Sequence, residues 1–398
     1  MTNPAYKLGY AVGNVTVISD VDDLLVLRRN FVPGNMWAWG SDSYSALGDG
    51  GTTSVSSPIH IGSATDWKET TVFSGGWDGG AISTSGNLYV WGTNTFGQLG
   101  LGDISPRSVP TQLGPVTTWK QISFGGGIGP FSANFALAIR SDSSMWGWGS
   151  YNSYQLGNGL TIGNASSPVQ VGNTLYNWKQ LAAASGFGLA IDNSGSLWAW
   201  GYNGYGQLGQ NDTITRSIPV PVGTLTTWTY VTASSSSTSG SSYGLSSNGT
   251  LWAWGYNGSG QLGLGDTVDR SVPTQVGTGG WRSIAAGIDH VVAVSASGKL
   301  FTWGNNPYGQ LGQITVTNLS SPVQVGLLSD WKTAIAGGYS SGSVKTDNTL
   351  WTWGYNASGQ LGQNNMTALS SPVQVGSGTT WKSVSMGTYH TLATIYSF

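Results

Sequence analysis

The chain has 398 residues, room for two or three ordinary domains or one large repeat array, and with 39% hydrophobic residues and 20 tryptophans it is not globally disordered. Its 62 glycines follow no three-residue period, which excludes collagen, and a net charge of −2 with only 8% charged residues gives no long-range electrostatic footprint for nucleic acid or anionic lipid. Cysteine is absent, so disulfides, thiol nucleophiles and cysteine metal sites are excluded.

Residues 1–34 come first and stand outside everything that follows. Leu24, Leu25, Val26 and Leu27 run in succession, and the segment ends at Pro33-Gly34. A tail this apolar is expected to be held, and Leu24, Leu25, Leu27, Arg28, Arg29 and Phe31 are the candidate attachment residues to a protein partner in a larger assembly. The N-terminus has neither a basic n-region nor an apolar h-region, and no run of 18 apolar residues occurs. The expectation is synthesis in the cytosol without a signal peptide, without membrane insertion, and a final place on a virion or other particle surface.

From residue 35 onward the text repeats. A W-x-W-G or equivalent ends in Trp39, Trp91, Trp148, Trp200, Trp254, Trp303 and Trp353, in steps of 49 to 57 residues. Between them fall Trp67, Trp119, Trp178, Trp228, Trp281, Trp331 and Trp381, six of the seven followed by Lys or Arg. Each unit also carries a Q-L-G or A-L-G and one downstream proline. In WKQLAAASGFGLAIDNSGSLWAWG, residues 178–201, a short β run is followed by G-L-A-I, a D-N-S-G hairpin turn and a strand apolar on both faces. The large tryptophans fill the gap between adjacent sheets, and the glycines allow tight turns beside them. Seven such sheets predict an all-β, closed seven-bladed β-propeller over residues 35–398. The last unit (381–398) lacks the W-x-W-G strand with which the first unit (35–40) begins, so one blade is predicted to be shared between the two ends of the repeat region.

The pattern W-x-W-G-x-N-x-x-G-Q-L-G-x-G-D, then proline, then W-K-x-[IV]-x-x-G, resembles the regulator of chromosome condensation repeat, and the composition looks more like bacterial or phage members of that family than eukaryotic ones. The resemblance implies a seven-bladed propeller with shared terminal closure. It also implies, as an alternative function, an intracellular interaction scaffold akin to a small-GTPase nucleotide exchange factor, although no exchange residue matches position by position.

No enzyme signature emerges, and neither a cofactor nor a metal site is expected. His290 and His390 occupy the same place in two units, so a structural role is expected of them. Asp103, Asp212 and Asp266 each precede an arginine by four residues, the spacing of a recurring loop ion pair. Two units are lengthened, and insertions that break a repeat map to loops on one face. The longer insertion holds Phe131, Asn134 and Phe135. Together with Tyr205 and Tyr308 in the Gly/Asn loops, these are the candidate binding residues, for a protein, a surface glycan or a receptor. The leading expectation is a non-catalytic structural or adhesive propeller displayed on a particle such as a bacteriophage virion.

Overall fold

The computed structural model describes residues 32–72, 77–127, 134–160, 163–172, 177–234, 239–378 and 380–397. Of the sequence candidates, Phe131 and the whole attachment set Leu24, Leu25, Leu27, Arg28, Arg29 and Phe31 lie outside these residues.

Strands are short and close because glycine or a turn follows each one. Six blades are continuous in sequence. Blade 1 consists of Trp67–Val72, Asp78–Ser83, Leu88–Gly92 and Arg107–Gln112. Blade 2 consists of Trp119–Gly125, Phe135–Arg140, Met145–Ser150 and Asn164–Gln170. Blade 3 is built from Trp178–Ala183, Phe187–Asp192, Leu197–Gly201 and Arg216–Pro221, and blade 4 from Trp228–Ala233, Ser241–Ser246, Leu251–Gly255 and Arg270–Gln275. In blade 5 the strands are Trp281–Ala286, His290–Ser295, Leu300–Gly304 and Leu319–Gln324, and in blade 6 Trp331–Ala336, Ser340–Lys345, Leu350–Gly354 and Leu369–Gln374. All pairings are antiparallel.

Blade 7 is the composite. Its first two strands, Trp381–Met386 and His390–Ser397, come from one end of the repeat region, and Val32–Gly40 and Val55–Ile61 come from the other. The seam is a true ladder, with Met36 opposite Thr394, Ala38 opposite Leu392 and Gly40 opposite His390. The expected closure is therefore present. The propeller begins slightly earlier than the repeat text, because Val32 and Pro33 already pair with Ser397 and Tyr396. An isolated bridge from Gly34 to Trp67 ties blade 7 to blade 1.

The first strands of successive blades pack on one another, so they form the inner ring. Side chains two residues after the tryptophan stitch this ring together. Gln121 donates to the Leu181 carbonyl at 3.1 Å and accepts from the Leu181 amide at 3.2 Å, and Gln180 makes the same pair with Val231 at 3.0 Å each. Satisfying both groups of a neighbouring edge removes the cost of leaving them bare.

The tryptophans before glycine are fully buried, and each indole N–H reaches into the preceding blade. Trp91 donates to the Ala46 carbonyl at 3.0 Å, Trp148 to Gln98 at 2.8 Å, Trp303 to Gln261 at 2.8 Å, and Trp39 closes the circle on Gln360 at 2.9 Å. Trp200, Trp254 and Trp353 do the same to Gln155, Gln207 and Gln310. The second tryptophan of the same blade usually packs edge-on or tilted against the first, as Trp281 on Trp303 at 5.9 Å. The glycine of Q-L-G lies directly over the next blade's indole: at Gly263 φ is +73° and a Cβ would fall 2.7 Å from Trp303 Nε1. The largest and smallest side chains are therefore two halves of one inter-blade joint.

Candidate interaction face

The antiparallel order gives each blade two ends. One end carries the hairpin between the second and third strands and the start of the inner strand; it is called the hairpin face here. The other, the loop face, carries the turn into the second strand and the long Gly/Asn loop between the third and outer strands.

A buried asparagine organises the long loop. In blade 4, Asn257 Nδ2 donates to the Asp266 carbonyl at 3.1 Å, to Asp266 Oδ1 at 3.0 Å and to the Val268 carbonyl at 3.1 Å, while its Oδ1 accepts from the Leu262 amide at 2.9 Å. Asn94, Asn203, Asn306 and Asn356 do the same work in their own blades. The expected loop ion pairs form, Arg107–Asp103 at 2.7 Å and Arg216–Asp212 and Arg270–Asp266 at 2.6 Å. The guanidinium and the backbone amides of the turn hold these three carboxyls below the ordinary range.

These rigid loops carry aromatic rings inward. Tyr308, 41% exposed, packs against Tyr355 at 4.8 Å and Tyr339 at 5.5 Å. Tyr205 meets Tyr256 edge-on at 5.1 Å. Trp77 stacks on Tyr389 at 4.7 Å and touches the exposed Tyr44 at 5.6 Å. Asp289 sits among them, half-buried. Gln261 Nε2 donates to its Oδ1 at 3.3 Å, and it takes part in none of the ion pairs among the described residues. Burial lifts its carboxyl to about 6. Its charge in turn helps push up the phenols of Tyr256 and Tyr339, after burial. The loop face as a whole has eight aspartates, from Asp42 and Asp49 in blade 7 round to Asp289, against Arg107, Arg216 and Arg270, which are already paired.

The sequence candidates separate here. Tyr205 and Tyr308 do belong to this face. Phe135 does not: it opens the second strand of blade 2, and its ring is fully buried in that blade's core. Phe135 cannot touch a ligand, because strand pairing with Gly149 turns it inward rather than leaving it on the inserted loop. Asn134, just before it, is also fully buried. His290 and His390 occupy that same first strand position in blades 5 and 7, and burial holds both imidazoles down to about 4. His290 Nε2 meets Ser341 Oγ of the next blade at 2.9 Å, a structural contact as expected. Asp78 is their counterpart in blade 1; burial raises it to about 7 even though Thr93 Oγ1 donates to it at 2.5 Å.

The residues that sequence reading missed are Trp77, Asp289, Tyr339 and Tyr389. All four stand immediately before the second strand, where blades 3 and 4 have only Gly186 and Gly240. Aligning that single column would have found them.

The chain belongs to the RCC1-like domain family, whose model matches residues 131–393, and a regulator of chromosome condensation (RCC1) repeat matches residues 85–129. It is 33% identical to the ultraviolet-B receptor UVR8 of Arabidopsis thaliana over 266 residues, covering 66% of this chain and 58% of that protein. It is 30% identical to the mitochondrial RCC1 domain-containing protein RUG3 of the same plant, over 58% of this chain and 52% of that one. The chain thus spans between half and three-fifths of the length of these relatives. In fold it is similar to Prp20p of Saccharomyces cerevisiae, with a TM-score of 0.78, 20% identity and 92% of each chain covered. These matches carry the family and the propeller; a bacterial or phage origin does not follow from them.

Proposed function

We propose that this protein is a non-catalytic protein-interaction propeller that binds a basic segment of a partner on its loop face. The observation that carries the reading is the half-buried Asp289 carboxyl, close enough to Tyr256 and Tyr339 to push up their phenols and in no ion pair among the described residues. A lysine or arginine entering there gains both a counter-charge and aromatic faces. The solved structure of Prp20p is described for its binding to Gsp1p and histones; the likeness to it supports an exchange-factor form of this scaffold at the level of fold. The competing proposal, a displayed virion component attached through residues 1–34 and binding a glycan or receptor, has no support from the relatives named above, and its attachment residues lie outside the described structure.

The test is site-specific photocross-linking in extracts of the source cells, with a benzophenone side chain at Tyr308 or, on the opposite face, at Ser297. Protein adducts from position 308 that disappear in Asp289→Asn are expected. Adducts from position 297 alone, or adducts at 308 that ignore both Asp289→Asn and Tyr339→Ala, would overturn the reading.

A further inference from the structure

The hairpin face is built on a different principle. In all seven blades the ladder between inner and second strands skips one residue, the one after the tryptophan: Trp281 pairs with Ser295, and Ser283 already pairs with Val294. The same shift occurs at Trp67, Trp119, Trp178, Trp228, Trp331 and Trp381. A bulge releases its residue from the pleat and re-aims it. The seven released positions lie at one level of the inner ring, and six of them are Lys68, Lys120, Lys179, Arg282, Lys332 and Lys382; the seventh is Thr229.

Five other cations of the propeller are engaged differently. Arg107, Arg216 and Arg270 are in loop ion pairs, Arg140 is stacked over Trp119 and Trp146, and Lys345 pairs with Asp330 over Trp331. Within the ring, Arg282 reaches the Trp331 carbonyl and Lys332 reaches Asn348 Oδ1 at 3.1 Å, both neutral groups. Acids on this face among the described side chains are Asp66, Asp142, Asp192, Asp330 and Asp347. Of these, Asp142, Asp192 and Asp347 accept from the amides of their own hairpin turns.

Where the inner strands of blades 4 to 7 converge, a cavity of about 560 Å³ opens. Arg282 and Lys382 line it, with the hydroxyl-bearing residues Thr229, Ser246, Ser247, Ser283, Thr333 and Ser383, and no aspartate or glutamate among the described residues lines it. Its volume lies in the range of small-molecule sites. Two cations and a set of hydroxyls answer the needs of phosphate oxygens, which take charge-assisted and hydroxyl hydrogen bonds together.

We infer that this cavity is an anion site for a compact oligophosphate, free or carried on a nucleotide, and that the ring of released cations draws it in. The site lies on the face opposite the tyrosines and stands independently of the partner reading above. Loss of one therefore leaves the cross-linking readout of the other untouched.

The experiment is isothermal titration of the full chain with sodium tripolyphosphate and with ATP in physiological salt. Both are expected to bind. Equal affinity assigns recognition to the phosphate chain alone, whereas tighter ATP binding assigns part of it to the apolar wall beside Tyr230. Replacing Arg282 and Lys382 with glutamine is expected to weaken tripolyphosphate at least about tenfold, since charge-assisted hydrogen bonds are being removed. Thr229→Lys completes the ring on an exposed position and is expected to tighten binding severalfold, an outcome that poor folding cannot imitate. No heat from either ligand at millimolar concentration overturns the inference. So does binding indifferent to the double glutamine variant and to Thr229→Lys.

Discussion

Adding one methyl group at Gly263 tests whether the propeller is held by its inter-blade joints. At φ +73° an L side chain costs about 1–2 kcal/mol on backbone sterics alone. The new Cβ would also stand 2.7 Å from Trp303 Nε1 and 3.0 Å from Cε2. That indole cannot retreat, because it is fully buried and donates to the Gln261 carbonyl at 2.8 Å. Overpacking of this kind adds about 1–3 kcal/mol. Gly277 is the internal control: its φ of +58° is also left-handed, but nothing lies within 4 Å of a Cβ there. Gly277→Ala is therefore expected to cost about 1 kcal/mol and Gly263→Ala about 3 kcal/mol, a difference that belongs to the joint. Urea-unfolding midpoints of the two variants, followed by tryptophan fluorescence at equal protein concentration, measure it. Equal midpoint shifts would refute the idea that the glycine is there to admit the neighbouring indole.

Three further outcomes are expected. Asp78 has a folded pKa of about 7 against 3.8 for the free group, so the fold favours its protonated form. That stabilisation is complete below pH 3.8 and is lost as pH rises through 7. Asp78→Asn, which keeps the shape, should therefore gain stability relative to the parent by about 4 kcal/mol between pH 4 and 8, read from denaturation at a series of pH values; parallel curves would exclude it. His290 and His390 act in the opposite sense, their contribution being present above pH 6.5 and lost as pH falls toward 4. In the long loop, Asn257→Ala removes four hydrogen bonds around a buried hub and is expected to cost about 3 kcal/mol, whereas Arg270→Gln, at a partly solvated surface pair, should cost less than about 1 kcal/mol. Thermal unfolding of the two variants side by side decides it.

The architecture was readable because it is written seven times in large and small side chains. Trp39 through Trp353 and the glycine of each Q-L-G specify the joint, and the missing strand after Trp381 announces the closure at residues 35–40. The candidate faces were harder to read. Loop length pointed to the insertion before Phe135, but length does not tell where a strand resumes, and pairing with Gly149 carries that ring into the core. Asp289 stayed hidden because its column changes identity from blade to blade, and a search for repetition passes over the position that varies. The basic positions after tryptophan were visible as letters. Their release from the ladder was not, since a bulge is a property of register between two strands. Net charge hides this division for a related reason: −2 averages an acidic loop face and a basic hairpin face.

The composite seventh blade also sets a timetable. Val32–Gly40 and Val55–Ile61 are made before the other strands and pair with each other, yet the strand that pairs with the remaining edge of Val32–Gly40 begins only at His390. At roughly 5–20 residues per second, their bare edge waits on the order of 15–60 s for its partner. During that interval it is an open template, and a second nascent chain offering its own His390–Ser397 strand presents the same ladder. Crowded translation of one message would then yield chains linked through exchanged seventh blades, and slow, dilute synthesis would favour the single closed ring.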